Sequence, residues 1–297
     1  MRTGISSPIL ALSGGRPQWE HDATVADIVK VFGTADKLGY EFMTAPDHIA
    51  VPPGIERGER FYDALATFSY LASVTERIRF LPYVLVIGFS HPLEYAKRWG
   101  TLDHLSGGRV TLGFGVGNLR EEFDMLGVPF DDRGARADDA LKALRAGLGK
   151  REVTYRGEYF RFENMVVDPH AVQEHLPIWI GGHSKRALRR AVTLADGWCP
   201  APVSFRGPDW AKLKAMLDEV DKPDGFDVLV GPIGALDPIG NPGEVQEVLG
   251  TAAEHRGGLR CPQQQVRGVP AGREHPGQPF GRAALVAQQP QVPGGGP

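Results

Sequence analysis

The stretch "PIWIGGHSKRALRRAVTLADGW", residues 177–198, contains a whole strand–turn–helix–strand unit. The apolar run Ile178 to Ile180 stops at Gly181-Gly182, and Ser184 opens a helical stretch bearing Lys185, Arg186, Arg189 and Arg190. The next strand, "GWCPA", begins at Gly197. A short, wholly apolar strand that passes through a helix into another strand is the signature of a parallel sheet covered by helices. Two glycines expose backbone N–H groups to close approach, and a helix N-terminus carries about half a positive charge. An anion such as phosphate suits that turn. The same residues also describe a plain glycine turn closed by a serine N-cap.

The alternation extends in both directions. Upstream, strand-like "RTGISSPIL", "YEFMTAPDH", "RIRFLPYVLVI" and "GGRVTLGFGVG" are separated by helix-like "TVADIVKVFGTADKLGY", "FYDALATFSYLASVT" and "PLEYAKRWGTLDHLS". The first helix repeats Val25, Ile28, Val29, Phe32, Ala35 and Leu38 at helical spacing, with Asp22 or Thr24 as its cap. Pro92 stands at the start of the third, where a missing N–H does no harm. Between 119 and 176, "REEFDMLG" and "ARADDALKALRAGL" read as helices, and "VTYRGEYFRFEN" reads as a hairpin turning at Arg156-Gly157. Downstream come a helix "DWAKLKAMLDEV", a strand "FDVLVGPI" and a helix "PGEVQEVLGTAAEH". Seven strand–helix units in order favour an α/β fold of the (β/α)8 TIM-barrel type over an open doubly wound sheet. Gly113-Phe114-Gly115-Val116-Gly117 is not a dinucleotide fingerprint, because the spacing is wrong and it does not follow the first strand.

The last unit breaks the pattern. Residues 1–250 read as the barrel, whereas 251–297 are dominated by Pro, Gly, Gln and Arg, with "RAALVA" the longest helix that can be drawn. An eighth strand and helix are due there, and an open barrel leaves two unpaired edges. One reading is a frameshifted C-terminus with the change near 251–260; the other is a natural disordered tail on an atypical barrel.

Composition narrows the classes. A net charge of −3 over 297 residues implies no nucleic-acid partner. Two cysteines, Cys199 and Cys261, give no disulfide framework and suit a reducing compartment. No apolar run reaches the ~20 residues of a membrane span, and no signal-peptide core follows Met1-Arg2. A cytoplasmic protein acting on a small molecule is the expectation. His48 has no His or Cys at metal-binding spacing nearby, so no metal is expected.

Four stretches together resemble the bacterial-luciferase-like monooxygenase superfamily, and most closely its branch of oxidoreductases using the deazaflavin coenzyme F420. They are "GYEFMTAPDH" (39–48), the run from His91 to Leu141, "VTYRGEYFRFENMVVDP" (153–169) and residues 177–198. The likeness runs from the N-terminus to about residue 250. It implies a (β/α)8 barrel, a flavin-type cofactor at the strand C-termini and a homodimer. It further implies that the coenzyme's phosphate lies at Gly181, Gly182, His183 and Ser184, that Asp47 contacts the coenzyme, and that His48 faces its reactive carbon. Histidine suits that place because its unperturbed pKa is near neutrality. A non-prolyl cis peptide in the third strand, supporting the ring, is expected at Tyr83-Val84. Gly115, Val116, Gly117 and Asn118 would leave room for the ring and its chain. Some deazaflavin-dependent sugar-phosphate dehydrogenases use a Glu where this chain has Asn118; an amide is no general acid, which argues against a sugar-phosphate substrate. The expected activity is hydride transfer between C5 of F420 and a small organic substrate. The alternatives are an FMN-dependent monooxygenase and, of another class, a non-catalytic remnant. Arg186, Arg189 and Arg190 read as solvated charges, Glu121 and Glu122 as helix-dipole partners, and Trp99, Leu102 and Leu105 as core. Trp179 and Trp198 could line either the barrel or its rim.

Overall fold

The computed structural model describes residues 2–6, 8–12, 16, 18–55, 58–200, 208–230 and 282–287. Eight strands make the barrel: β1 Arg2–Ser6, β2 Phe42–Ala45, β3 in two limbs (Arg79–Pro82 and Leu85–Val86), β4 Leu112–Gly115, β5 Ile178–Gly181, β6 Gly197–Cys199, β7 Asp227–Val230 and β8 Arg282–Ala287. The strands pair in the order β3–β2–β1–β8–β7–β6–β5–β4, and β4 then pairs with the second limb of β3. Both ends of the order are thus the same strand, and the sheet closes. Among the described residues this sheet has no free edge, which removes a template for association.

Strands β1 to β7 run parallel where they adjoin, but β8 runs antiparallel to both β1 and β7. Sequence reasoning gave "RAALVA" only as the longest helix the tail could hold; the structure makes it a strand in the eighth position. A six-residue apolar run carries no decisive periodicity. What decides it is the pair of open edges on β1 and β7, whose N–H and C=O groups accept a strand of either polarity. The expected helix at 242–255 and Cys261 lie outside the described residues.

The helices are α1 Gln18–Asp22, α2 Val25–Lys37, α3 Ala64–Ala72, α4 Pro92–Ser106, α5 Arg120–Leu126, α6 Arg133–Gly147, α7 Lys185–Leu194 and α8 Pro208–Asp218. Thr24, not Asp22, caps α2, in a reciprocal capping box with Asp27. Pro92 opens α4 as expected. The hairpin expected after α6 forms from Glu152–Arg156 and Arg161–Val166. Its turn is held by a carboxylate that sequence reasoning missed: Asp139 accepts from the Tyr155 hydroxyl and from the N–H groups of Tyr159 and Phe160.

Alternation along the strands sorts side chains into two layers. Phe42, Leu81, Trp179, Cys199 and Leu229 fill the barrel interior with Tyr83 and Val84. Ile178, Ile180 and Trp198 face the helical layer, packed with Phe32, Phe68, Phe80, Trp99 and Phe114. The two tryptophans left open by the sequence therefore part company, Trp179 inward and Trp198 outward. Trp99 and Leu102 are core, but Leu105 is 68% exposed, because it lies on the outer face of the last turn of α4.

Buried carboxylates tie the end opposite the strand C-termini. Asp36 accepts from the N–H groups of Glu76, Arg77 and Ile78 at 2.7–2.9 Å. Burial pushes its pKa up, but those three donors outweigh burial and hold it below the usual carboxylate value. A carboxylate depressed in the folded state stabilises the fold above its unfolded pKa of about 4 and loses that contribution as pH falls through the folded value. The urea midpoint is accordingly expected to fall below about pH 4, and less steeply in Asp36→Asn than in the parent; parallel curves for the two proteins would exclude Asp36 as a source.

Candidate functional site

The strand C-termini bring the expected residues to one mouth. The peptide Tyr83-Val84 is cis, where the family resemblance put it, between the two limbs of β3. The Val84 side chain enters a space left by glycines on two other strands. A Cβ on Gly115 would lie 2.9 Å from a Val84 methyl, and one on Gly181 would lie 3.0 Å away. A Cβ on Gly113 would lie 2.3 Å from the carbonyl oxygen of Pro82. The expectation that Gly115 leaves room for a coenzyme ring is thus refined: its first occupant is Val84. Tyr83 packs with Val84 in the barrel interior, its hydroxyl donating to the carbonyl of Pro200 after β6.

The turn after β5 has the local form that the sequence indicated. Gly182 sits at φ 100°, a left-handed conformation in which glycine is preferred. Its carbonyl accepts from the Trp198 indole at 2.8 Å, which fixes the turn to β6. The Ser184 hydroxyl oxygen accepts from the Ala187 N–H at 3.1 Å and caps α7. Ser184 is therefore a helix cap, as the plain reading had it; its hydroxyl takes the Ala187 N–H, and the amides ahead of it in the first turn of α7 have no acceptor within the helix and remain suited to an anion. His183, Lys185, Arg186 and Arg189 are exposed. Arg190 departs from its reading as a solvated charge: its side chain is only 10% exposed and pairs with Asp138, joining α7 to α6.

On the β2 side, Asp47 and His48 follow the strand and line a cleft of about 290 Å³ with Phe61, Leu85, Phe89 and Tyr95. Burial, then the nearby Asp63 carboxylate, pushes the Asp47 carboxyl above the usual range, against the pull of the Ala64 N–H. The His48 ring lies 4.7 Å from that of Phe61, centroid to centroid. Its Nδ1 is 2.9 Å from Glu122 Oε2, and Glu122 Oε1 accepts from the Ile49 N–H at 3.0 Å.

Glu122 is the residue that sequence reasoning misplaced. A carboxylate in the first turn of a helix ordinarily faces water and the dipole. Exposed Glu121 does so. The Glu122 side chain is 2% exposed and turned inward to the loop after β2. Its neighbour Phe123, 1% exposed, anchors α5 against Phe89 and Phe130 and against Gly117, where a Cβ would sit 2.5 Å from the Phe123 ring. Asn118 is exposed at the start of this segment. The pattern Glu-Phe, a charged residue beside a large apolar one at a helix start, was the available signal, but nothing in it named His48 as the partner. Among the described residues no group of three His, Cys, Asp or Glu is arranged to hold a metal ion, and no helix is long and apolar enough to cross a membrane.

A family model described as luciferase-like monooxygenase matches residues 1–230. An uncharacterized protein of Mycobacterium tuberculosis is 33% identical over 212 residues, which covers 66% of this chain and 73% of that one. Among solved structures, monooxygenase RslO1 from Streptomyces bottropensis is 21% identical with a TM-score of 0.64, covering 86% of this chain and 79% of the other. The coenzyme F420-dependent tetrahydromethanopterin reductase of Methanopyrus kandleri is also 21% identical, with a TM-score of 0.57 over 76% of this chain and 63% of that one. At these identities the two structures speak for the barrel alone.

Proposed function

We propose a function from one premise, that this chain belongs to the luciferase-like monooxygenase family. Within that family of oxidoreductases, the chain binds F420 at the barrel mouth and transfers a hydride between it and a small organic substrate. The observation that carries this reading is an imidazole, His48, held at the mouth by a buried carboxylate and lining a cleft. Two-electron transfer to or from carbon is accompanied by a proton, and an imidazole can give or take one near neutral pH.

The residues fit such a coenzyme. Its anionic arm matches the first-turn amides of α7, with Gly181, Gly182, His183 and Ser184 around them. The Val84 methyls, seated on Gly115, and the segment Gly117-Asn118, seated on Phe123, offer a wall for a flat ring, with the Tyr83-Val84 peptide as its support. Asp47, partly desolvated, offers a polar contact at the ring's edge. When bound, the deazaflavin supplies the hydride acceptor or donor. The protein's own work is to orient the ring, exclude water with Phe61, Leu85 and Phe89, and move the proton at His48. A homodimer in the cytoplasm accompanies this reading.

Separate titrations of the full-length chain with oxidised F420 and with FMN test it. Saturable F420 binding, followed by substrate-dependent loss of the deazaflavin absorbance, is the expected result. Binding of FMN with no binding of F420 would replace it with the oxygen-activating reading.

A further inference from the structure

The juxtaposition of the buried Glu122 carboxylate with His48 Nδ1, across 74 residues of chain, points to Glu122 as the positioning residue that makes Nε2 the working nitrogen of His48. This rests on the reading of His48 as the proton-transfer group.

Ionised, a carboxylate only accepts hydrogen bonds, so the nitrogen facing it must carry the hydrogen. Glu122 Oε2 faces Nδ1 at 2.9 Å, and Oε1 is occupied by the Ile49 N–H at 3.0 Å. Neutral His48 therefore keeps its hydrogen on Nδ1, and its lone pair is on Nε2. The contact to Ile49 fixes the backbone just after the imidazole, so ring and loop are held together by one side chain. A proton that a substrate releases as its carbon is oxidised goes to Nε2. The imidazolium formed then has its charge beside the Glu122 carboxylate, and in the reverse direction the same proton returns to the substrate. The carboxylate thus acts through the imidazole, as in a triad in which a buried acid sets the tautomer of the base.

Burial makes this placement specific. An isolated carboxylate removed from water is costly, so a 2% exposed side chain in a first helical turn needs strong partners. Its neighbour Glu121, on the same turn and exposed, shows the placement that the helix alone would give. The packing of Phe123 against Phe89 and Phe130 turns α5 so that Glu122 faces inward. The charged groups sharing the cleft with His48 are Asp47, Asp63 and Arg98, whereas the Glu122 carboxylate bonds to His48 Nδ1 and to the Ile49 N–H.

The test reads the tautomer directly. The full-length protein, labelled with 15N in its 9 histidines, is observed through two-bond proton–nitrogen correlations, with the His48 pattern identified by its loss in His48→Asn. In the parent protein the hydrogen is expected on Nδ1. In Glu122→Gln the amide oxygen keeps the Ile49 N–H, the amide NH₂ faces Nδ1, and the hydrogen is expected to move to Nε2. Steady-state hydride transfer with F420 is expected to show kcat reduced about tenfold with KM within a factor of about two. Glu121→Gln leaves all readouts at parent values, and Glu122→Asp retains the Nδ1 tautomer. A parent protein with its hydrogen on Nε2 overturns the inference. So does Glu122→Gln with an unchanged tautomer and unchanged kcat. If Glu122→Gln does not fold, the parent tautomer and that of Glu122→Asp decide. The tautomer is read without coenzyme. A parent protein that shows the Nδ1 hydrogen but no F420 turnover therefore refutes the functional reading and leaves the positioning geometry standing.

Discussion

His48→Asn is expected to lower the rate of hydride transfer about 10³-fold while leaving F420 affinity within a few-fold of the parent. The substitution is chosen for its geometry. An asparagine amide nitrogen stands where Nδ1 stands, so it can still donate to Glu122, which in the parent lies 2.9 Å from Nδ1. The buried carboxylate keeps a partner, and the loop keeps its bond from the Ile49 N–H. What is deleted is Nε2, the nitrogen assigned to the proton. A positioned acid–base group is worth about 10² to 10⁴ in rate, and among the described residues no other imidazole lines this cleft to take its place. Coenzyme affinity should persist because the turn after β5 and Val84, the contacts proposed for the coenzyme, are untouched. The check is single-turnover absorbance of the deazaflavin beside an equilibrium titration. A rate within threefold of the parent would remove His48 from the chemistry. A loss confined to affinity would make it a coenzyme contact instead.

The second large effect falls on stability. Gly113→Ala is expected to destabilise the barrel by about 3 kcal/mol, at the upper end for overpacking a core. The added Cβ would meet the Pro82 carbonyl oxygen at 2.3 Å, a backbone atom that cannot rotate away, and a Val84 methyl at 3.3 Å. Relief requires β3 and β4 to separate beside the Tyr83-Val84 peptide, where their pairing closes the ring. Gly181→Ala meets only the Val84 methyls, at 3.0 and 3.2 Å, together with the Cys199 carbonyl at 3.6 Å. Its stability cost should be smaller and its effect on coenzyme binding larger. Urea unfolding measures the first, and a cost of about 3 kcal/mol corresponds to a fall in Tm of roughly 5 °C for a chain of this length. If Gly113→Ala were as stable as the parent, the close approach of Pro82 to β4 would be wrong.

The contrast between these two sites shows where sequence reasoning reaches. The order of elements was legible because alternating apolar strands and amphipathic helices leave a local record at each step, from Thr24 and Pro92 at helix starts to Ser184 capping α7. The cis peptide at Tyr83-Val84 was placed through family likeness and not from local pattern, since the surrounding residues read as an ordinary core strand. The glycines of β4 and β5 were visible, but their purpose was not. A missing side chain does not say which neighbour fills the space, and the neighbour is Val84 on another strand.

By itself, the sequence determined the class of fold, the seven parallel strands and the polarity of the turn after β5, because each rests on contacts within a few residues or on a repeating pattern. Three things waited for the tertiary structure. That residues 282–287 form the eighth strand follows from the edges that β1 and β7 present, not from six apolar residues. The inward face of Glu122 follows from how Phe123 seats α5. The pairing of that carboxylate with His48 joins residues 74 positions apart. The physical reason is common to all three: a hydrogen-bonding group of fixed local structure can be satisfied by water or by a distant partner, and only the closed barrel determines which one is within reach.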